Sequence, residues 1–192
     1  MLKLIADFVL KLTGWTVPPM RDVPEKCVII GYPHTSNWDL VILELVAFHF
    51  GITLNWLGKK QIFMWPFHRL MRRLGGIPVD RSAPQGLVQQ VADEIKSAKG
   101  PVRLVVPPEG TRSKVEYFKS GFYRIALAAE VPILVAEVDY RRKVVGFGTR
   151  VDLTGDVRRD MDAMRALLAL NHGKFPELAG NPRLKDEEVQ PK

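Results

Sequence analysis

Short runs of β-branched residues alternate with longer apolar stretches along most of the chain, and this alternation constrains the fold more than any other feature. Strands are predicted for the short runs, at 27–31, 52–57, 77–79, 102–106 and 133–138. Helices are predicted for the longer stretches, at 37–50, 62–74 with an interruption at Pro66, 87–98 and 123–130. A further strand within 143–153 and a further helix within 161–170 follow. Such alternation predicts one α/β domain with a largely parallel sheet flanked by helices.

The N-terminus is predicted to form an amphipathic helix. Apolar residues recur there at helical spacing, at Leu2, Ile5, Phe8, Val9 and Leu12. Docking of this face on the protein's own core and insertion into a lipid interface both explain the pattern. The predicted organisation is a helix with a proline-rich connector at 1–24, a single domain at 25–180, and a polar, frayed tail at 181–192.

Composition restricts the compartment and the partners of the protein. The single cysteine, Cys27, excludes an intramolecular disulfide and fits a reducing compartment. A formal net charge of +7 indicates an acidic partner, which leaves nucleic acid, anionic lipid and a phosphorylated substrate as alternatives. The N-terminal residues lack the pattern of a signal peptide, and no apolar run reaches the length of a membrane-spanning helix. We therefore expect neither a signal peptide nor a transmembrane helix.

The loop after the first predicted strand contains His34, with Asp39 five residues later in the first turn of the next helix. A carboxylate that holds Nδ1 of an imidazole leaves Nε2 to act as a general base. The spacing alone is weak support for a catalytic pair, because a helix cap formed by Asn37 or Asp39 explains the same residues.

A second polar loop follows the predicted strand at 102–106 and contains Glu109, Gly110, Thr111 and Arg112. The planar guanidinium of Arg112 matches a phosphate in bidentate geometry, and Glu109 would orient that group or a substrate hydroxyl. For such a loop taken alone, an ordinary surface turn with an ion pair is the alternative.

Taken together, four blocks in this order resemble the signature of glycerolipid acyltransferases, a family that includes 1-acylglycerol-3-phosphate acyltransferases. The blocks are His34-x4-Asp39, Gly-Ile-Pro-Val-Asp-Arg at 76–81, Pro-Glu-Gly-Thr-Arg-Ser at 108–113 and Val-Pro-Ile at 131–133. Gly-Lys-Lys at 58–60 and Phe-Lys-Ser-Gly at 118–121 are also similar to the family pattern. The resemblance covers roughly residues 27–140.

The resemblance implies transfer of a fatty acyl group from an acyl thioester of CoA or acyl carrier protein to a free hydroxyl of a lysophospholipid. His34 would be the general base and Asp39 would orient it. Arg81 and the turn at 109–112 would hold the acceptor phosphate, with Lys119 a weaker candidate. Neither a metal nor a cofactor is expected beyond the thioester co-substrate. Pro33 stands where many relatives have Asn, which leaves the identity of the acceptor open.

Aromatic and basic residues interleave over 59–73, as is typical of segments at an anionic lipid surface. A core helix with solvated arginines is the alternative for that segment. We expect a peripheral protein on the cytoplasmic face of the membrane. The alternative function is a non-catalytic lipid- or nucleic-acid-binding protein, but no segment resembles a nucleic-acid-reading motif, so nucleic acid is not an expected partner.

Overall fold

A computed structural model describes residues 2–20, 22–79 and 84–188. In chain order its elements are α1 (Leu2–Leu12), β1 (Lys26–Ile30), α2 (Trp38–Phe50), β2 (Trp56–Lys59), α3 (His68–Arg73), β3 (Gly76–Val79), α4 (Pro84–Ser97), β4 (Val102–Val106), α5 (Gly121–Ala129), β5 (Ile133–Asp139), β6 (Val144–Val151) and α6 (Val157–Leu168). Short 3-10 turns lie at Lys60–Phe63, Pro176–Leu178 and Lys185–Glu188.

The strands form a four-stranded sheet in the order β4-β1-β5-β6 and a separate parallel pair of β2 and β3. Strand β1 pairs in parallel with β4 and β5, whereas β6 pairs antiparallel with β5 at the edge. Val28 and Ile30 pack in the core on one face of the sheet, with residues of α4, α5 and α6. Cys27 and Ile29 pack on the other face, mainly with α2. The predicted single α/β domain with a largely parallel sheet flanked by helices is confirmed.

The strand predicted at 52–57 is observed later, at Trp56–Lys59, because Asn55 joins the two sheets. Its side-chain oxygen accepts a hydrogen bond from the Arg103 amide at 2.9 Å. Its side-chain nitrogen donates to the Gly75 carbonyl at 3.2 Å. Asn55 thus contacts β4 on one side and the start of β3 on the other, and regular pairing with β3 begins only at the next residue.

The predicted N-terminal helix is present as α1, but most of its predicted apolar face points away from the protein. Ala6 and Leu10 are buried against the domain. Asp7 and His49 of α2 contact each other, with 2.5 Å between Asp7 Oδ1 and His49 Nδ1. The large apolar side chains that remain exposed are Leu2, Leu4, Ile5, Phe8 and Leu12. Helix α1 therefore packs on the domain through Ala6 and Leu10 and presents its larger apolar side chains to the outside.

The expectation of a frayed tail is wrong for residues 181–188. Leu184 is completely buried in the core, and Glu187 is 4% exposed. The Glu187 carboxylate accepts a hydrogen bond from Arg165 of α6 at 2.7 Å and another from the Leu184 amide at 2.6 Å. One apolar anchor and one ion pair with a buried carboxylate thus order a segment whose composition is mostly polar.

Candidate active site

Three loops meet at one edge of the four-stranded sheet. The first follows β1 and carries His34, the second follows β4 and carries Glu109, and the third follows β5 and carries Tyr140. Because β4, β1 and β5 are adjacent and parallel, their carboxyl ends lie side by side. This is the position at which α/β sheets commonly place their functional loops.

His34 and Asp39 are brought together as expected from their spacing. Nδ1 of His34 lies 3.1 Å from Oδ2 of Asp39, and the two side chains are 21% and 9% exposed. Since a carboxylate only accepts hydrogen bonds, a neutral imidazole in this contact carries its proton on Nδ1 and leaves Nε2 as an acceptor. The pair therefore has the arrangement of a general base and its orienting carboxylate.

The Asp39 carboxylate is held by further donors. Oδ2 also accepts hydrogen bonds from the backbone amides of Thr35 and Ser36, both at 2.9 Å. Oδ1 accepts a hydrogen bond from the hydroxyl of Tyr140 at 2.7 Å. Asn37 makes no side-chain cap of α2. Asp39 thus fixes the loop that precedes it, while it also orients His34.

Glu109 occupies a different position from the one expected for a residue that contacts substrate. It is 1% exposed. Its Oε2 accepts a hydrogen bond from the His34 amide at 2.6 Å, and its Oε1 accepts one from the Gly180 amide at 2.8 Å. Burial raises the pKa of Glu109, although both backbone hydrogen bonds act in the opposite direction. The carboxylate therefore joins the loop that carries His34 to the C-terminal part of the chain.

The segment at 171–180 packs against the loop that carries His34, and no feature of the sequence indicated this contact. The side-chain amide of Asn171 donates to the Tyr32 carbonyl at 3.0 Å. The Phe175 amide donates to the Thr35 hydroxyl at 3.2 Å. The Tyr32 hydroxyl in turn donates to the Gly180 carbonyl at 3.0 Å. Residues on both sides of His34 are thus fixed by chain that lies far away in the sequence.

An apolar cavity of about 520 Å³ adjoins the pair. His34, Asp39 and Lys119 contribute polar side chains to its wall. Most of the remaining wall is hydrocarbon, including Leu40, Leu43, Leu57, Val79, Val105 and Ile125. A cavity of this size and lining is suited to a largely apolar ligand.

Some of the residues expected to bind phosphate line the cavity, and others lie outside it. Gly110 and Lys119 both line the cavity and lie side by side. If position 110 carried a side chain, its Cβ would lie 3.2 Å from the Lys119 side chain. Thr111 and Arg112 lie exposed on the adjoining turn. Arg81 lies outside the described residues. Among these residues, Lys119, the weaker candidate from the sequence, is thus the basic residue that lines the cavity, and it is also exposed to solvent.

Neither a reactive cysteine nor a metal site is supported by the described part of the chain. Burial raises the pKa of the Cys27 thiol to about 12, so this side chain stays protonated and unreactive at neutral pH. Across residues 2–20, 22–79 and 84–188, no group of three or more His, Cys, Asp or Glu side chains is arranged to hold a metal ion. Within these residues, the pair of His34 and Asp39 therefore has the clearest catalytic geometry.

Comparisons with known proteins agree with this geometry. Residues 16–136, more than half of the chain, match the family model described as Acyltransferase. The fold is similar to the crystal structure of PlsC, the 1-acyl-sn-glycerophosphate (LPA) acyltransferase from Thermotoga maritima. The TM-score is 0.60 at 16% identity, and the match covers 88% of this chain and 76% of that chain. The search of curated proteins finds no match. The extent of the family match shows that this chain belongs to the acyltransferase family.

Proposed function

We propose that this acyltransferase transfers a fatty acyl group from an acyl thioester, of CoA or acyl carrier protein, to a free hydroxyl of a lysophospholipid such as 1-acylglycerol-3-phosphate. The observation that carries the proposal is the His34–Asp39 pair at the wall of an apolar cavity that also contains Lys119. A hydrocarbon chain fits the apolar wall, a phosphate suits the lysine, and the hydroxyl between them would meet the base.

In the proposed reaction, Nε2 of His34 removes the proton from the acceptor hydroxyl. The oxygen then attacks the carbonyl carbon of the thioester and forms a tetrahedral intermediate. As the carbon–sulfur bond breaks, the leaving thiolate takes the proton back from the imidazolium, so that no protein nucleophile is needed. A positioned general base typically contributes about 10²- to 10⁴-fold to the rate. Asp39 stabilises the imidazolium while it exists.

We assign the acceptor phosphate to Lys119 together with Arg112 and Arg81, as the resemblance implies. Lys119 has the strongest structural support because its side chain lines the cavity with His34. Arg112 is exposed on the turn next to Gly110, where its guanidinium is free to reach a headgroup at the cavity entrance. Glu109 supports this site indirectly, through its hydrogen bond to the His34 amide.

We further propose that the protein binds the cytoplasmic face of an anionic membrane as a peripheral protein. The exposed apolar face of α1 includes Leu4 and Phe8, which are 73% and 66% exposed. Trp65 and Phe67, in the segment where basic and aromatic residues interleave, are 85% and 60% exposed. None of the helices within the described residues has both the length and the hydropathy needed to cross a bilayer. Apolar side chains with basic neighbours suit insertion to the depth of the headgroups.

The test is release of free thiol from palmitoyl-CoA, with and without lysophosphatidate, in detergent micelles. We expect acceptor-dependent release by the wild type and its loss in His34→Ala. His68→Ala is the matched control, because His68 does not line the cavity and the micelle assay needs no membrane surface, so we expect wild-type turnover. Near-normal transfer by His34→Ala would exclude His34 as the base. Absence of release with palmitoyl-CoA and palmitoyl-acyl carrier protein, across several lysophospholipids, would favour a non-catalytic lipid-binding protein.

A further inference from the structure

Tyr140 is the residue directly after β5, and it contacts the carboxylate of Asp39. Tyr140 and His34 contact different oxygens of that carboxylate. The Tyr140 hydroxyl donates to Oδ1 at 2.7 Å, whereas Nδ1 of His34 lies 3.1 Å from Oδ2. Burial, followed by the hydrogen bond to Asp39, raises the pKa of the Tyr140 hydroxyl, so it stays protonated at neutral pH and can donate. Asp39 is therefore shared between an imidazole and a phenol.

Contacts on both sides hold Tyr140 in place. Its ring packs edge to face on Trp15, with 5.0 Å between the ring centroids and 82° between the ring planes. Its amide donates to the His172 carbonyl at 2.8 Å. The buried Asp139 carboxylate accepts hydrogen bonds from the amides of Arg141 and Arg142, at 2.8 and 2.9 Å, which fixes the turn that follows. The phenol is thus aimed at Asp39 by its surroundings.

We propose that Tyr140 is a positioning residue that limits the basicity of His34 by withdrawing charge from Asp39. This inference rests on the proposed role of His34 as the general base. A donor to a carboxylate stabilises the negative charge on that carboxylate, so less of the charge remains to stabilise the imidazolium. The same hydrogen bond prevents rotation of the carboxylate. Removal of the phenol is therefore expected to leave His34 protonated up to a higher pH.

Other charged groups in the described part of the chain also lie near this network, including Arg142, whose Nε lies 2.6 Å from Oδ2 of Asp139. Near His34 these are Glu109, which bonds its amide, and Lys119 in the cavity wall. Around Tyr140 they are Asp139, with which His172 is paired at 3.2 Å, and Lys143, whose ammonium lies 5.1 Å from the Trp15 ring centroid. Replacement of the Tyr140 hydroxyl leaves all of these groups in the protein, so their effects cancel in a comparison of the variant with the wild type.

Tyr140→Phe removes the hydroxyl and keeps the ring that packs on Trp15. We expect the titration midpoint of the His34 imidazole, followed by NMR and assigned with His34→Ala, to move up by about half a pH unit or more. The acid limb of the kcat/KM profile should move in the same direction. A half-unit shift should lower kcat at pH 7 by up to about threefold, with an unchanged KM for the acceptor. The matched control is Tyr117→Phe, which removes a hydroxyl that donates to Glu188 at 2.6 Å instead, and it should cause no such shift.

The outcomes separate this inference from the proposed function. If the wild type shows no acceptor-dependent thiol release, the proposed function fails, while the NMR titration still tests the coupling of Tyr140 to His34. If the wild type is active, but Tyr140→Phe keeps the wild-type titration midpoint or lowers it, the positioning role is overturned. A uniform loss of rate at every pH, with no shift of the acid limb, would also overturn it, because simple destabilisation has that effect.

Discussion

Replacement of Glu109 by glutamine tests whether this residue positions the loop that carries His34 or contacts the acceptor. Glutamine preserves the shape of the side chain but has only one acceptor oxygen. The carboxylate at present accepts hydrogen bonds from the amides of His34 and Gly180. In Glu109→Gln one of these buried N–H groups would face an NH₂ group and lose its acceptor.

A buried N–H group without an acceptor costs about 1–3 kcal/mol. Burial raises the pKa of Glu109, so removing its charge offsets part of that cost. We expect a net destabilisation of about 1–2 kcal/mol. For a chain of this length the melting temperature should then fall by roughly 2–8 °C. Displacement of the His34 backbone should also lower kcat by about tenfold or more, with little change in the KM for the acceptor.

The assay combines thermal unfolding with the thiol-release measurement on the same preparations. Glu177→Gln is the matched control, because Glu177 is an exposed glutamate of the 3-10 turn Pro176–Leu178, and it should behave like the wild type. A Glu109→Gln variant with wild-type stability and only a raised KM for lysophosphatidate would refute the positioning role. It would return Glu109 to the acceptor-binding role implied by the family resemblance.

Three further predictions concern pH, the membrane and the backbone. Burial acts to raise the pKa of Asp160, but hydrogen bonds, chiefly from Thr154, outweigh it, and the pKa lies below 3.8. The ionised carboxylate should therefore stabilise the folded protein above pH 3.8. This stabilisation should be lost as the pH falls through the lowered pKa. Urea titrations should therefore find Asp160→Asn less stable at pH 7, with a flatter acid dependence. Phe8→Ser should weaken cosedimentation with anionic vesicles about tenfold. Gly75→Ala should destabilise the protein by more than about 2 kcal/mol in the same titrations, because its φ is +79° and a Cβ would lie 1.9 Å from the Leu54 carbonyl oxygen.

Each of these predictions has a result that contradicts it. An Asp160→Asn protein with the acid sensitivity of the wild type would exclude this carboxylate as a source of pH-dependent stability. Unchanged vesicle binding by Phe8→Ser would argue that α1 does not enter the lipid surface. Gly100→Ala is the backbone control, because a Cβ there meets no atom within 4 Å. Equal stability of the two glycine variants would refute the steric argument at Gly75.

Local patterns in the sequence were sufficient for most element types and for the contact between His34 and Asp39. The strand at Val102–Val106 is observed at its predicted bounds. Helix α2 ends at Phe50, as predicted, and the next residue, Gly51, has the left-handed φ of +69° that favours glycine. His34 and Asp39 meet because they lie five residues apart across a strand–helix loop, and that spacing is short enough to determine the contact.

Contacts between distant segments were not visible in the same patterns. Tyr140 lies 101 residues from Asp39, and Gly180 lies 71 residues from Glu109. Their approach depends on the strand order β4-β1-β5, which places three loops at one edge of the sheet. Hydrophobic periodicity specifies which face of an element is apolar, but not which element lies beside it.

The sequence by itself thus determined the α/β alternation, the His34–Asp39 spacing and the family resemblance, because each depends on residues that are close together in the chain or on their order along it. Only the tertiary structure decided that Glu109 points inward, that Tyr140 bonds to Asp39 and that α1 turns its apolar face outward. These features depend on contacts between segments that are distant in the sequence, and such contacts are determined by the packing of the whole chain.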